Sequence, residues 1–305
     1  MLGKAGPDIS VVGFGAWEAG GAGWGPGPDD RAVVAAIEAA FGAGINWVDT
    51  AELYGGGRSE QLVGRAVKGH DDVLVFTKVA PDGSGVGAAS VRKAAEASLR
   101  RLGRDWIDLY QVHWHTEQVP LEETWEAMAA LVDDELVRFI GVSNFDVEQI
   151  ARCEAIRHVD SLQPQFSLLH REGRDALLPF CEANGTGVIC YGPFAYGLLT
   201  GAIDRDTRFG PDDWRGGTLG VGYYDELFAP GVFERNLAVV DGFRPIANRL
   251  GITLAQLALA WVLHQRGVTG AIAGSRSSSH TIENAGAGDI DLGADDLAEL
   301  ESLLS

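Results

Sequence analysis

Four polar side chains have the types needed for proton transfer: Asp49, Tyr54, Lys78 and His113. Each lies at or just beyond the end of a short apolar segment. A phenol, with a pKa of about 10, is a poor acid at neutral pH, but a neighbouring ammonium lowers that pKa. A carboxylate beside the ammonium would hold it in place, and an imidazole could orient a substrate oxygen or share the proton. The set therefore suits protonation of a carbonyl oxygen or deprotonation of an alcohol, with hydride carried by a cofactor.

The segments that end on these residues alternate with helical patterns along the chain. Strands are predicted at residues 10–15, 46–48, 73–77, 107–112, 139–142, 161–166, 187–191 and 269–273. After each strand, apolar residues recur at helical spacing, as Val33, Ile37 and Phe41 do after the first. Crossovers of this kind require parallel strands, and eight such units in 305 residues match the size of a (β/α)8 barrel.

The predicted fold is therefore an α/β protein, a (β/α)8 TIM barrel. We expect an N-terminal strand or hairpin, a long loop after strand seven over residues 192–230, and an extra C-terminal helix. The strands of such a barrel end at one rim, so the four polar side chains should gather there. No repeat or linker divides the chain, which predicts one domain over residues 1–305.

An open doubly wound sheet is the alternative fold. That fold usually carries Gly-x-Gly-x-x-Gly after its first strand, whereas residues 13–18 read Gly-Phe-Gly-Ala-Trp-Glu. The missing third glycine favours the barrel.

Residue types that commonly cap helix N-termini predict helix starts at Asp29 or Asp30, Ser59, Ser90 and Asp146.

Composition limits the partners of this chain. Its formal charge is −19, from 43 acidic and 24 basic residues, which disfavours nucleic acid and anionic membranes. Cys153, Cys181 and Cys190 show no ligand spacing and are interpreted as reduced, buried thiols. No apolar run approaches the roughly 18 residues of a membrane span, and the N-terminus lacks a signal-peptide core. We expect a cytoplasmic monomer or weak homo-oligomer that binds a small molecule and no metal.

Five motifs, in this order along the chain, resemble those of the aldo-keto reductase family. They lie at residues 49–55, 77–78, 108–114, 140–145 and 274–276, the last with Asn284. The chain is most similar to bacterial reductases of the general-stress and inositol- or sugar-dehydrogenase type. The resemblance implies that Tyr54 is the general acid, that Lys78 lowers its pKa, that Asp49 pairs with Lys78, and that His113 positions the carbonyl.

The resemblance also implies a nicotinamide dinucleotide, NADP(H) with NAD(H) possible, lying across the rim. Near the nicotinamide we expect Gly15, Ala16, Trp17, Asp49, Ser143, Asn144, Gln163 and Tyr191, of which Tyr191 should stack on the ring. Along the pyrophosphate we expect Gly192, Pro193, Phe194, Ala195, Tyr196 and Leu198. Around the adenosine we expect Gly274, Ser275, Arg276, His280, Glu283 and Asn284.

Two features of the sequence bear on the phosphates. Three serines, at residues 277–279, precede a helix whose N-terminus attracts anions, and Arg276 offers a planar fork for a phosphate. Both favour NADP. Gly201 is followed by Ala202 where the similar reductases often carry lysine, which would weaken a phosphate contact. Arg215, in the long loop, is a candidate for a flap that covers the cofactor.

Two questions stay open at this stage. Trp17, Trp24, Trp114 and Trp214 either line an apolar substrate cleft or only pack. The function is reduction of an aldehyde or ketone, or sugar or polyol oxidation in reverse; the alternative is a cofactor-sensing subunit of a membrane channel on the same barrel. Such subunits usually carry a segment ahead of the barrel, and only ten residues precede Val11, which favours the enzyme.

Overall fold

Eight parallel strands close into a barrel in sequence order, and β1 pairs with both β2 and β8. The computed structural model describes residues 1–27, 29–81 and 87–304. Its strands are β1 (Val12–Gly15), β2 (Trp47–Asp49), β3 (Leu74–Val79), β4 (Ile107–Val112), β5 (Val137–Ser143), β6 (Ser161–Gln163), β7 (Gly187–Cys190) and β8 (Gly270–Gly274). The predicted (β/α)8 barrel is confirmed. Its N-terminal strand is β1 itself, and turns rather than a hairpin precede it.

Helices follow the strands and surround the barrel. They are α1 (Asp30–Gly42), α2 (Arg58–Ala66), α3 (Ala88–Leu102), α4 (Leu121–Asp133), α5 (Val147–Glu154), α6 (Leu177–Asn184), α7 (Tyr223–Leu227), α8 (Val232–Leu250), α9 (Leu254–Leu263), α10 (Ser278–Ala285) and α11 (Ala294–Ser302). The last is the extra C-terminal helix. No described helix is long and apolar enough to cross a membrane alone; α8 and α9 meet that test only jointly, across an 89° bend.

The predicted helix starts are correct at two positions and wrong at two. Asp29 caps α1, and Asp146 forms a capping box at the start of α5. Helix α3 begins two residues before Ser90. Ser59 lies inside α2 instead of capping it, and its hydroxyl donates to the carbonyl of Ala16 at 2.6 Å. That bond ties α2 to the end of β1, beside the site.

The barrel interior is a small apolar core of its own. It is filled by Leu2, Trp47, Phe76, Leu109, Ile189 and Ile272. The buried Leu2 side chain comes from the N-terminal segment, which therefore closes one end of the barrel. Polar chemistry is left to the other end, where the strands terminate. The three cysteines are buried and free, as predicted.

The long loop after β7 has more structure than the sequence predicts. Residues 192–230 contain 3-10 turns at Ala195–Thr200 and Trp214–Gly216, as well as α7. Part of the loop pairs with the loop after β1, whose Pro28 lies outside the described residues. The amide of Gly25 donates to Asp212 O at 3.1 Å, and that of Trp214 donates to Gly23 O at 2.9 Å. We call residues 23–25 and 212–214 the strap.

Candidate active site

The strand ends bring together the carboxylate, the ammonium and the phenol. Asp49 ends β2, Lys78 lies in β3, and Tyr54 opens the 3-10 turn that follows β2. Lys78 Nζ lies 2.5 Å from Asp49 Oδ1 and 3.4 Å from Tyr54 Oη. The same Nζ donates to the carbonyl of Thr50 at 2.8 Å. Residues up to 29 positions apart in sequence therefore converge at one rim, as the barrel prediction requires.

The ion pair between Asp49 and Lys78 is buried and further anchored. Their exposed fractions are 3% and 0%. Gln163, at the end of β6, donates from Nε2 to Asp49 Oδ2 at 2.8 Å, which fixes the second carboxylate oxygen. Burial raises the pKa of Asp49 and lowers the pKa of Lys78, while each charge stabilises the other. Removing either partner would leave an uncompensated buried charge.

The pKa of Tyr54 moves in the direction opposite to the one expected. Burial raises this pKa well above its usual range, and the charge of Asp49 and the nearby Tyr223 and Glu18 raise it further. The nearest cation, the Lys78 ammonium, is already paired with Asp49 at 2.5 Å, and burial outweighs its effect on the phenol pKa. The phenol therefore stays protonated throughout the ordinary pH range.

His113 follows β4 and faces the phenol. The two rings have centroids 5.7 Å apart in an edge-to-face arrangement. Burial, and then the positive charge of Lys78, lower the pKa of His113 well below its usual range. Its Nδ1 is buried and has no hydrogen-bond partner among the described residues. A neutral imidazole can orient a substrate oxygen by hydrogen bonding without changing its own charge.

A cavity of about 970 Å³ extends from these side chains across the rim to the start of α10. Its catalytic end holds Asp49, Tyr54 and His113, with Lys78 just beneath the surface. Its other end, which we call the loop end, holds Glu18, Arg215, Gly274, Ser275 and Arg276. The remaining predicted cofactor residues that line it are Gly15, Ala16, Trp17, Ser143, Asn144, Gln163, Tyr191, Gly192, Pro193, Phe194, Tyr196, His280, Glu283 and Asn284.

Two residues predicted to line the pyrophosphate lie elsewhere. Ala195 and Leu198 are 1% and 0% exposed and belong to the main hydrophobic core. The 3-10 turn that holds them buries these two side chains while leaving those of Phe194, Tyr196 and Thr200 on the cavity wall. The turn therefore keeps both side chains off the cavity wall, where their position in the motif predicted them.

Amide and phenol groups form a fixed network beside the catalytic end. Asn144 has a φ of +60°, a left-handed conformation that asparagine tolerates better than most residues. Its Nδ2 donates to the carbonyl of His113 at 3.1 Å, and its Oδ1 accepts from the Tyr191 hydroxyl at 2.8 Å. The Tyr223 hydroxyl, from α7, lies 3.0 Å from that of Tyr191. Tyr223 is a cavity residue that the sequence analysis missed, since nothing in its turn-rich neighbourhood indicates a contact with Tyr191.

Two arginines fasten loops over the loop end. Arg276 donates from Nη1 to the carbonyl of Trp24, in the strap, at 3.2 Å. Arg215 makes a two-pronged pair with Asp213, at 2.9 and 2.7 Å, and donates to the carbonyl of Tyr196 at 3.2 Å. Arg215 thus fastens the long loop at the cavity wall, and its flap role stays a prediction. Three of the four tryptophans line the cavity: Trp17, Trp24 and Trp114. The fourth, Trp214, is buried in the core behind them.

Comparisons with known proteins show what this chain is similar to. The model of the Aldo/keto reductase family matches residues 11–305. The aldo-keto reductase YhdN of Bacillus subtilis is 36% identical over 285 residues, covering 90% of this chain and 84% of that protein. The NADH-specific methylglyoxal reductase of Escherichia coli is 32% identical, covering 95% of this chain and 93% of that protein. A protein named as a probable voltage-gated potassium channel subunit beta from Oryza sativa is 29% identical, covering 95% and 90%.

Solved structures share the architecture. The glycerol dehydrogenase of Gluconobacter oxydans superposes with a TM-score of 0.87 at 34% identity, covering 98% of this chain and 93% of that one. An aldo/keto reductase of Klebsiella pneumoniae, in complex with NADP and acetate, superposes with a TM-score of 0.74 at 33% identity, covering 97% and 91%.

Proposed function

This chain belongs to the aldo/keto reductase family and is an oxidoreductase, and we propose that it uses NADPH to reduce an aldehyde or ketone to an alcohol, with Tyr54 as the proton donor. The family membership supports carbonyl chemistry. The assignment of roles to individual residues, and of residues 1–305 to one catalytic domain, is our proposal.

The residues along the cavity fit a nicotinamide dinucleotide. At the catalytic end, the amides of Asn144 and Gln163 suit a carboxamide, and the Tyr191 ring suits a flat heterocycle. At the loop end, Ser275 and Arg276 suit a phosphate. When bound, the cofactor supplies hydride to the carbonyl carbon. The Klebsiella pneumoniae protein binds NADP, which supports NADP(H) here, and the name of the Escherichia coli relative keeps NAD(H) possible.

The observation that carries the proposal is the partly buried phenol of Tyr54, with the Lys78 ammonium 3.4 Å from its oxygen. Its raised pKa keeps the proton available to a substrate oxygen at any ordinary pH. As the proton leaves, negative charge develops on Oη, and Lys78 stabilises that charge from a fixed position in a water-poor site.

His113 and its surroundings suit orientation of the substrate. A neutral imidazole can donate one hydrogen bond to the carbonyl oxygen that Tyr54 protonates. Side chains at the mouth are largely apolar or aromatic, including Trp17, Trp114 and Leu53, which is 53% exposed. We therefore propose an uncharged aldehyde or ketone with an apolar or aromatic substituent as the substrate class.

The test is NADPH oxidation with a generic aldehyde such as a nitrobenzaldehyde. Tyr54→Phe should lower kcat by at least about a hundredfold and leave the Kd for NADPH unchanged, because only the proton donor is lost. Tyr110→Phe is the matched control, because this phenol is fully buried and does not line the cavity. Equal turnover by Tyr54→Phe and the parent protein would show that another group donates the proton.

A cofactor-sensing subunit remains the second candidate, because the Oryza sativa relative is named as a potassium channel subunit. The same assay separates the two functions. If NADPH binds tightly but none of a panel of aldehydes and ketones is reduced, the result would favour the subunit. Turnover that Tyr54→Phe abolishes would favour the enzyme.

A further inference from the structure

Apart from its effect on the pKa of Tyr54, one carboxylate at the loop end of the cavity has no part in the chemistry proposed above. Glu18 follows Trp17 in the 3-10 turn after β1, and its side chain lines the cavity. Both carboxylate oxygens lie 2.4 Å from the point that a Cβ on Gly274 would occupy. The carboxylate therefore rests on the backbone at the end of β8, next to Ser275 and Arg276. Among the described residues it forms no ion pair or hydrogen bond with another side chain.

The charges at the loop end are balanced. Two guanidinium groups face it, those of Arg276 and Arg215, and Arg215 is paired with Asp213. The second carboxylate is that of Glu18. Ala202 lines the wall without adding a charge. Two positive charges thus meet two negative ones where a dinucleotide would bring its phosphates.

Farther along the wall, His280 and Glu283 also line the cavity. The Glu283 carboxylate accepts a hydrogen bond from the Thr253 hydroxyl at 2.7 Å. This bond restricts rotation of the carboxylate into the cavity. Neither side chain adds an arginine or lysine charge to the wall. The cavity therefore offers little net attraction to an anion.

A dinucleotide cofactor is strongly anionic. Its diphosphate carries negative charge in both forms, and the additional phosphate of NADPH adds about −1.5 to −2 at neutral pH. In a confined site of low effective dielectric, a single carboxylate repels such groups over a distance of roughly 10 Å. The more highly charged cofactor is repelled more strongly.

We propose that Glu18 is a specificity-determining residue for the cofactor, whose carboxylate weakens binding of both NADPH and NADH and weakens that of NADPH more. The inference rests on the proposed function, since it requires a dinucleotide in the cavity. Its consequence is that the preference for NADPH created by Arg276 and the serines that follow it is reduced, so that NADH competes.

The environment of Glu18 agrees with a carboxylate that the fold does not need. Burial raises the pKa of Glu18, and the charges of Arg276 and Arg215 offset only part of that effect. A carboxyl group whose charge is disfavoured by burial, and which pairs with no other described side chain, does not stabilise the fold. Replacing it should therefore leave the protein folded.

The experiment measures the Kd of NADPH and of NADH by quenching of tryptophan fluorescence, since Trp17 and Trp24 line the cavity. In Glu18→Gln, a variant of the same shape without the charge, NADPH should bind about tenfold more tightly, and NADH should gain less. Glu126→Gln is the matched control, because Glu126 is exposed on α4 and its replacement changes the net charge equally. Its two Kd values should equal those of the parent protein.

Two further variants test the effect of charge at the loop end on cofactor binding. Glu18→Ala should reproduce the gain, and Arg276→Met should weaken NADPH more than NADH. Unchanged or weaker binding in both Glu18 variants, or an equal gain for the two cofactors, would overturn the inference while leaving the reductase proposal intact. Absence of binding of either cofactor to the parent protein would overturn the proposed function, and this inference with it.

Discussion

At the catalytic end of the cavity, strands carry the paired charged side chains, whereas at the loop end the side chains come from loops that are hydrogen-bonded to one another. Asp49 and Lys78 lie in neighbouring strands whose ladder fixes their separation, and their charges are paired at 2.5 Å. At the other end, Glu18 and Arg276 lie in loops that contact each other through the strap and at Gly274. Groups that transfer protons need a fixed geometry, and rigid elements supply it; groups that admit and release a ligand need segments that can move.

The largest effect should come from breaking the strand-borne pair. Lys78→Met removes the ammonium beside Tyr54 and leaves the Asp49 carboxylate buried without its partner. We expect kcat to fall by at least about a hundredfold and the free energy of unfolding to fall by about 3–5 kcal/mol. Steady-state kinetics and denaturant unfolding measure the two losses.

The double variant Asp49→Asn with Lys78→Met sharpens that result. Because no unpaired charge remains, part of the stability should return, while kcat should stay low. Recovery of both would mean that the ammonium acts only on folding. Loss of activity without any loss of stability would contradict the buried pair described above.

A smaller effect should come from loosening the strap. Arg215→Ala removes the pair with Asp213, the bond to the Tyr196 carbonyl and the contact of the guanidinium with the Trp24 ring, 5.2 Å from its centroid. NADPH should then dissociate about tenfold faster, as expected for a loss of about 1.4 kcal/mol from the closed state. Stopped-flow fluorescence measures the rate. Arg208→Ala, an exposed arginine in the same long loop, should leave the rate unchanged; a release rate unaffected by Arg215→Ala would remove the flap role.

The smallest effect should be the response of the catalytic end to pH. Reduction requires Tyr54 protonated and His113 neutral. The pKa of Tyr54 is raised, so the phenol loses its proton only at a pH well above the usual pKa of tyrosine. The pKa of His113 is lowered, so the imidazole becomes charged only at a pH well below the usual pKa of histidine. At saturating cofactor, kcat for reduction should be flat from about pH 6 to about pH 9. A basic limb near neutrality would indicate that Lys78 lowers the phenol pKa after all.

Much of this arrangement was accessible to sequence reasoning. Asp49, Lys78 and His113 stand at or near the ends of strands, and the parallel topology of a barrel sends all strand ends to one rim. The errors are local in origin. Ser59 has the right type for a cap but bonds to Ala16 instead, and Leu198 follows the right motif but turns into the core. Residue type and motif position do not report which way a side chain faces in a short turn.

The sequence alone determined the order of the strands and the identity of the acid, the amine, the phenol and the imidazole. A short apolar segment that ends on a polar residue is a local property of the chain, so it can be read without the fold. Only the tertiary structure decided the rest: the pairing of the two loops in the strap, the contact of Tyr223 with Tyr191, the carboxylate of Glu18 on Gly274, and the raised pKa of Tyr54. Burial and electrostatic potential are sums over neighbours from distant parts of the chain, so they exist only once those parts have come together.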